Sequence, residues 1–304
     1  MKGFAKKLLS WILAITLVFT LMPMTAFAEE ASVLAQGECG YNAEYTLTSD
    51  GILTIGVQDI KEDGELYDYY AYNEQVWENY STQVKSIVIE EGITHIGVYS
   101  FYEFTNLTEV SLPDTVKSIA DKAFMNCSSL KTIEIPAVTT IGEYAFAWSG
   151  LTDVVIKEGQ QNATIGTYAF TECVALESVT IPENVVAIGT SAFRNSSAIS
   201  TVNITNIGAW SEITFGDYFA NPLYYSHKLN KNTQEVTEIT ASDFAGVEEI
   251  KPYAFYNTNT ITSVEIPDSV KQIGKAAFYN CESIQTISLP ADVVIADADT
   301  FAEC

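Results

Sequence analysis

The residues of this 304-residue chain best suited to nucleophilic or metal chemistry are few: five cysteines and two histidines, His95 and His227. A hydrolase would need a nucleophile beside one of those histidines. The chain has no H-E-x-x-H, no G-x-S-x-G and no glycine-rich phosphate loop. His95 reads as part of a repeat turn, and neither histidine has a motif around it. Asp297-x-Asp299 is too short for a calcium loop, which needs about five spaced oxygen ligands and a turn glycine. Cys127, Cys173, Cys281 and Cys304 recur at one position, which Ser149 and Ser196 fill elsewhere. A place that accepts serine asks for a small side chain and not for a disulfide, so buried free thiols are expected. Cys281 and Cys304 are the only plausible pair. No catalytic, metal-ligating or cofactor-binding residue is assigned, and no cofactor is expected. What remains are aromatics. Tyr67, Tyr69, Tyr70, Tyr72, Trp77 and Tyr80 form one group. Trp210, Tyr218, Tyr224 and Tyr225, with His227, form another. Such side chains either pack loops against a core or make a partner-binding patch. On the second reading these last five are the candidate contacts.

The elements that would position them come from self-similarity. Residues 107–129 and 261–283 agree in spacing throughout. Phe101, Phe124, Phe146, Phe170, Phe193, Phe255, Phe278 and Phe301 follow one another at intervals of 23, 22, 24, 23, 62, 23 and 23. In a copy such as Leu107-x-x-Val110-x-Leu112-Pro113, apolar and polar residues alternate, as in a short strand with one buried face. Proline cannot donate to a ladder and closes the strand. A second apolar pair follows, often with glycine next, as at Gly142 and Gly189. Glycine there suggests a sharp corner with positive φ. A-F-x-x-C then reads as a short helical turn. One copy cannot bury its own face, so copies must stack and align phenylalanines into a ladder.

This pattern resembles the BspA-like leucine-rich repeat from Val84 to Cys304. The resemblance implies an α/β repeat: a strand-dominated, right-handed leucine-rich-repeat solenoid with short helical turns. Residues 37–83 look like the N-terminal module of such proteins. Alternation on both sides of Asp50-Gly51 argues for a β-hairpin that caps the open end. The resemblance also implies a surface binding protein, adhesin-like and non-catalytic. Residues 199–235 form an irregular copy, and the chain stops mid-repeat at Cys304, which suggests a fragment of something longer.

Charge narrows the partners. Asp and Glu number 39 against 15 Lys and Arg, a formal charge of −24, which disfavours nucleic acid. Residues 1–28 read as a signal peptide: Lys2, Lys6 and Lys7, an apolar run too short to span a bilayer, then Ala26-Phe27-Ala28. Cleavage after Ala28, a linker at 29–36, secretion or display at a bacterial surface and no later membrane span are expected. The sheet's outward columns, including Ser111, Glu134, Thr180 and Glu265, lack aromatics and arginine, so they offer few binding anchors. Two alternatives stay open: a structural spacer, and an accessory region of a longer secreted enzyme.

Overall fold

The computed structural model describes residues 31–71 and 73–304. The expected signal peptide with its cleavage point, and Tyr72, lie outside them. Residues from Val33 onward form one compact unit.

The N-terminal module is a meander of β1 (Val33–Tyr41), β2 (Ala43–Thr48) and β3 (Ile52–Val57), followed by β4 (Gly64–Leu66). The β2–β3 hairpin turns at Gly51, whose φ of +91° is open to glycine. β1 begins inside the stretch expected to be linker: Val33 to Gln36 already pair with β2. The meander does more than a hairpin would. β3 heads one parallel ladder, through β5 (Ser86–Ile89) and β7 (Glu109–Ser111). β4 heads a second, through β6 (Ile93–Ile96) and β8 (Ser118–Ile119). The cap thus joins both faces of the solenoid into one 12-stranded sheet and leaves neither ladder with an open first edge.

Beyond β7 the first face continues through Thr132–Ile135, Asp153–Ile156, Ser178–Thr180, Thr201–Ile204 and Leu229–Lys231. Matching repeat positions pair side by side, as in Ile133↔Val154↔Val179↔Val202. The strand Leu229–Lys231 was not expected; it sits inside the irregular copy and ends the sheet in an antiparallel hairpin with Gln234–Glu235. A fresh pair of three-stranded ladders carries the last copies.

Inside, the phenylalanines stack face to face. Phe124, Phe146, Phe170 and Phe193 have centroids 5.2, 5.2 and 5.4 Å apart and nearly parallel planes. Phe255, Phe278 and Phe301 resume at 5.0 and 5.4 Å.

Two sequence expectations change in detail. The short helical turn at A-F-x-x-C is a run of linked turns in most copies and a 3-10 helix in the last, Ala298–Phe301. Lys122 and Asn126 flank Phe124 with φ of +58° and +64°, and Tyr144 and Trp148 flank Phe146 with +54° and +55°. Alternate N–H groups close local turns, as Met125 N to Lys122 O does at 3.3 Å. The others, on Lys122, Phe124 and Asn126, donate to Glu143, Ala145 and Ala147 of the next copy at 2.8–2.9 Å. A left-handed residue with a Cβ costs roughly 1–2 kcal/mol. The inter-copy hydrogen bonds offset it and give the solenoid a third bonded edge. The second correction is the corner glycine. Among the described residues only Gly51, Gly92 and Gly246 have positive φ as glycines. Gly142 and Gly189 are needed for another reason: a Cβ would stand 2.5 Å from Ala120 C and 2.4 Å from Thr167 N. Adjacent copies approach too closely there for a side chain.

The thiols follow the same logic. All five cysteines are free, Cys281 and Cys304 included. Cys127, Cys173, Cys281 and Cys304 each point Sγ at the ladder phenylalanine carbonyl of the preceding copy, at 3.1–3.3 Å. Ser196 makes the same bond to Phe170 O at 2.7 Å, which explains why serine substitutes. Burial pushes Cys173 up to about 11 and Cys281 up to about 12. A thiol so held is a poor nucleophile. Brief alkylation of the native protein at pH 8 should modify exposed Cys304 and spare Cys39, Cys127, Cys173 and Cys281. Denaturant should release all of them. Native labelling of Cys127 at the rate of Cys304 would contradict the packing.

Candidate partner-binding surface

The irregular copy is built by local capping. Asn206 Oδ1 accepts from Ala209 N at 3.1 Å and starts α1 (Ile207–Ser211). Asp217 accepts from Ala220 N at 2.8 Å and from Ser191 N at 2.9 Å, so one carboxylate shapes the next turn and fastens it to the copy before. Asn221 and Pro222 lead into α2 (Leu223–Ser226), which His227 ends with φ +53°.

The five candidate residues separate in this frame. Trp210, expected among the contacts, is 1% exposed and cannot touch a partner. Its indole N–H donates to Ala254 O at 2.7 Å. Trp77 does the same to Ser100 O at 2.7 Å. Both acceptors immediately precede a ladder phenylalanine. In regular copies that carbonyl accepts from the phenylalanine N–H of the copy before, as Ala145 O does from Phe124 N at 2.8 Å. Phe101 opens its ladder and Phe255 reopens it after the irregular copy. A tryptophan supplies the donor at each start. Gln75 and Asn221 reinforce the two ends alike, donating to Tyr99 O and Tyr253 O at 2.7 Å.

Tyr225 and His227 are also stitches. Tyr225 is half-buried, and its hydroxyl accepts from Asn195 N at 2.7 Å. His227 has an exposed ring whose Nδ1 lies 3.2 Å from Asn257 O, while its own carbonyl accepts from Asn259 N at 2.9 Å.

Tyr218 faces outward, with Tyr224 half-buried beside it. Tyr218 is 39% exposed, and its ring lies 5.7 Å from those of Tyr224 and Tyr256. Tyr256 stacks on Tyr279 at 5.1 Å, and Arg194 lies over Phe219 at 5.9 Å. The Tyr256 hydroxyl is pushed up to about 12, first by burial and then by the neighbouring phenols. Phenol rings packed in this way can bury apolar area and exchange hydrogen bonds.

His95 lies in strand β6, not in a turn. Its Nδ1 is 2.7 Å from Ser118 Oγ and its Nε2 3.3 Å from Asp68 Oδ1. The row has the residue types of a hydrolytic triad. Acyl transfer also needs donors for an oxyanion. The N–H groups of Lys117 and Ala120, on either side of β8, are spent on Thr94 O and Ile96 O at 2.7 and 2.9 Å. The row positions an imidazole, with those two N–H groups already engaged.

A model of the BspA type leucine rich repeat region matches residues 73–200, 139–220 and 224–304, with six copies. The chain belongs to this family. Among solved structures it is similar to a leucine-rich repeat protein from Eubacterium ventriosum, at 21% identity over 88% of this chain and 95% of that one, TM-score 0.30. A leucine rich cell surface protein from Faecalibacterium prausnitzii is 23% identical over 84% and 78%, TM-score 0.37. The pneumococcal vaccine antigen PcpA is 19% identical over 86% and 71%, TM-score 0.42. No curated protein matches the chain.

In the regular copies tyrosines stand at two fixed offsets from the ladder phenylalanine. Tyr99, Tyr144, Tyr168 and Tyr253 stand two residues before it, and Tyr102, Tyr256 and Tyr279 one residue after. Tyr144 stacks on Tyr168 at 4.8 Å, and Lys122 lies over Tyr99 at 4.9 Å. Tyr256 and Tyr279 were missed from the sequence because they lie in regular copies. Counting offsets from the phenylalanines would have found them. No helix among the described residues is long and apolar enough to cross a membrane.

Proposed function

We propose that this chain is an exported, non-catalytic binding protein of the bacterial cell surface, adhesin-like, that engages macromolecular partners through the tyrosines of its turn edge. The carrying observation is exposed Tyr218 packed ring to ring with half-buried Tyr224 and Tyr256, the latter stacked on Tyr279. Tyrosine gives large contact area at low entropic cost. The strand face offers mainly hydroxyls and carboxylates, and Glu134 there is already engaged by Lys157 at 3.2 Å. Export rests on residues 1–28, with removal after Ala28.

The test is retention on immobilised extracellular-matrix extract. Tyr218→Ala with Tyr224→Ala should weaken retention about tenfold or more, since hot-spot truncations cost about 2 kcal/mol or more each. Glu134→Ala with Glu265→Ala should leave it nearly unchanged. If the folded tyrosine variant binds normally while the glutamate variant fails, the strand face is the site. The unbroken core supports a second reading, a rigid spacer presenting a neighbouring domain; neither pair would then matter.

A further inference from the structure

The second ladder contains a local break in its outward chemistry. Side by side across its strands stand Glu65, His95, Ser118, Thr140 and Thr164. The column is small and hydroxylated along the regular copies and becomes acid and imidazole beside the cap. There the cap and strands β6 and β8 wall a solvent-open cavity of about 600 Å³. Asp63, Glu65 and Asp68 contribute carboxylates to it against one lysine, Lys117. Tyr41 and Tyr67 line it too, 65% and 45% exposed.

Its parts are held from outside. Asp68 accepts from Val98 N at 2.8 Å and faces His95 Nε2, and Ser118 fixes the other side of that ring. Tyr41 donates its hydroxyl to Glu62 at 3.2 Å, which leaves its ring face beside the opening. Lys117 is turned away in part, donating Nζ to Asp114 O at 2.9 Å. Among the described residues no lysine or arginine lies within ion-pair distance of Asp63 or Glu65. The cavity therefore holds uncompensated negative charge between two aromatic rings.

We propose that this cavity binds an alkylammonium or guanidinium group, which enters along Tyr41 and Tyr67 and pairs with Glu65 and Asp63. A cation gains there from charge-assisted hydrogen bonds to carboxylate and from the aromatic faces. The surrounding field of an acidic protein draws it in. An anion or a carboxylate-rich partner meets repulsion from the same three acids. His95 Nε2 holds Asp68 Oδ1 at 3.3 Å beside the opening. The group has two sources, the lysine or arginine of a protein partner or a free polyamine. This site is separate from the tyrosine edge and does not rest on that reading.

The experiment is calorimetric titration of the full chain with tetralysine, with spermine, with C-terminally amidated tetralysine acetylated at Nα and at every Nε, and with chitotriose. Saturable one-to-one binding of tetralysine or spermine, with neither neutral probe binding, is expected; binding of one amine alone identifies the source. Glu65→Gln with Asp63→Asn should weaken it about tenfold or more, the loss of charge-assisted pairing. Glu282→Gln with Asp268→Asn removes the same charge from exposed sites elsewhere and should change it less than about twofold. Tyr67→Ala should weaken binding without altering the circular dichroism spectrum. Equal losses for the two acid pairs would reduce the effect to diffuse electrostatics and overturn the site. So would binding of either neutral probe as tight as tetralysine, or no binding of either amine.

Discussion

Trp210→Ala is expected to destabilise the protein by about 3–5 kcal/mol, as large buried truncations do, and to divide its thermal unfolding in two. The side chain is enclosed, packs on Phe215 at 5.3 Å and is the donor to Ala254 O. Removing it opens a cavity where the regular stack is interrupted, between Phe193 and Phe255. In a repeat array stability is a sum of copy and neighbour terms, so weakening one interface uncouples the two sides. Hydrogen exchange should show the copies from Val236 onward opening before those around Ile181. Trp210→Phe separates the contributions. It retains most of the apolar burial and loses the N–H, leaving Ala254 O with only the 3.1 Å bond from Asn221 Nδ2. Because the acceptor keeps that partner, the loss should cost about 0.5–1.5 kcal/mol, the net worth of one hydrogen bond. A single transition at the wild-type temperature for Trp210→Ala would reject the role of restart.

The equivalence of Trp77 and Trp210 shows what sequence reading reaches and where it stops. Phenylalanine spacing is visible because a ladder demands one residue type at one interval, and the strands are visible because burial alternates along them. The tryptophans do not recur at the period, so nothing in one dimension says that both serve the residue before a ladder phenylalanine. Trp210 lies among aromatics that do face solvent, and composition cannot separate it from Tyr218. The corner glycines were misread because a glycine required by close approach looks the same as one required by positive φ. For the left-handed turns a signal did exist. Asn126, Asn195, Asn257 and Asn280 all sit two residues after a ladder phenylalanine, and asparagine tolerates that conformation best among residues with a Cβ. The cation cavity was hidden because its walls come from β4, β6 and β8, and because His95 matters only beside Asp68 and Ser118, 27 and 23 residues away.

Phe170→Ala should cost about 3–5 kcal/mol, and the same change at Phe301 clearly less. Phe170 is fully buried and stacked on both faces, 5.2 Å from Phe146 and 5.4 Å from Phe193. Its loss removes the transfer energy of the ring and leaves a void between two rings that the inter-copy hydrogen bonds hold in place. Phe170 N donates to Ala192 O at 2.8 Å and Phe146 N to Ala169 O at 2.8 Å, so the backbone cannot close the gap cheaply. Phe301 is only partly buried and meets one neighbour, Phe278, at 5.4 Å. A denaturant titration of each variant gives the comparison, with the slope checked for two-state behaviour. Pairing Phe146→Ala with Phe170→Ala tests the stack itself. Rings in contact should couple by about 0.5–1.5 kcal/mol beyond their buried area, so the double variant should lose less than the two single losses combined. Strict additivity would mean that each ring packs independently against the strands. A Phe301→Ala cost equal to that of Phe170→Ala would mean that the stack adds nothing a single neighbour does not supply.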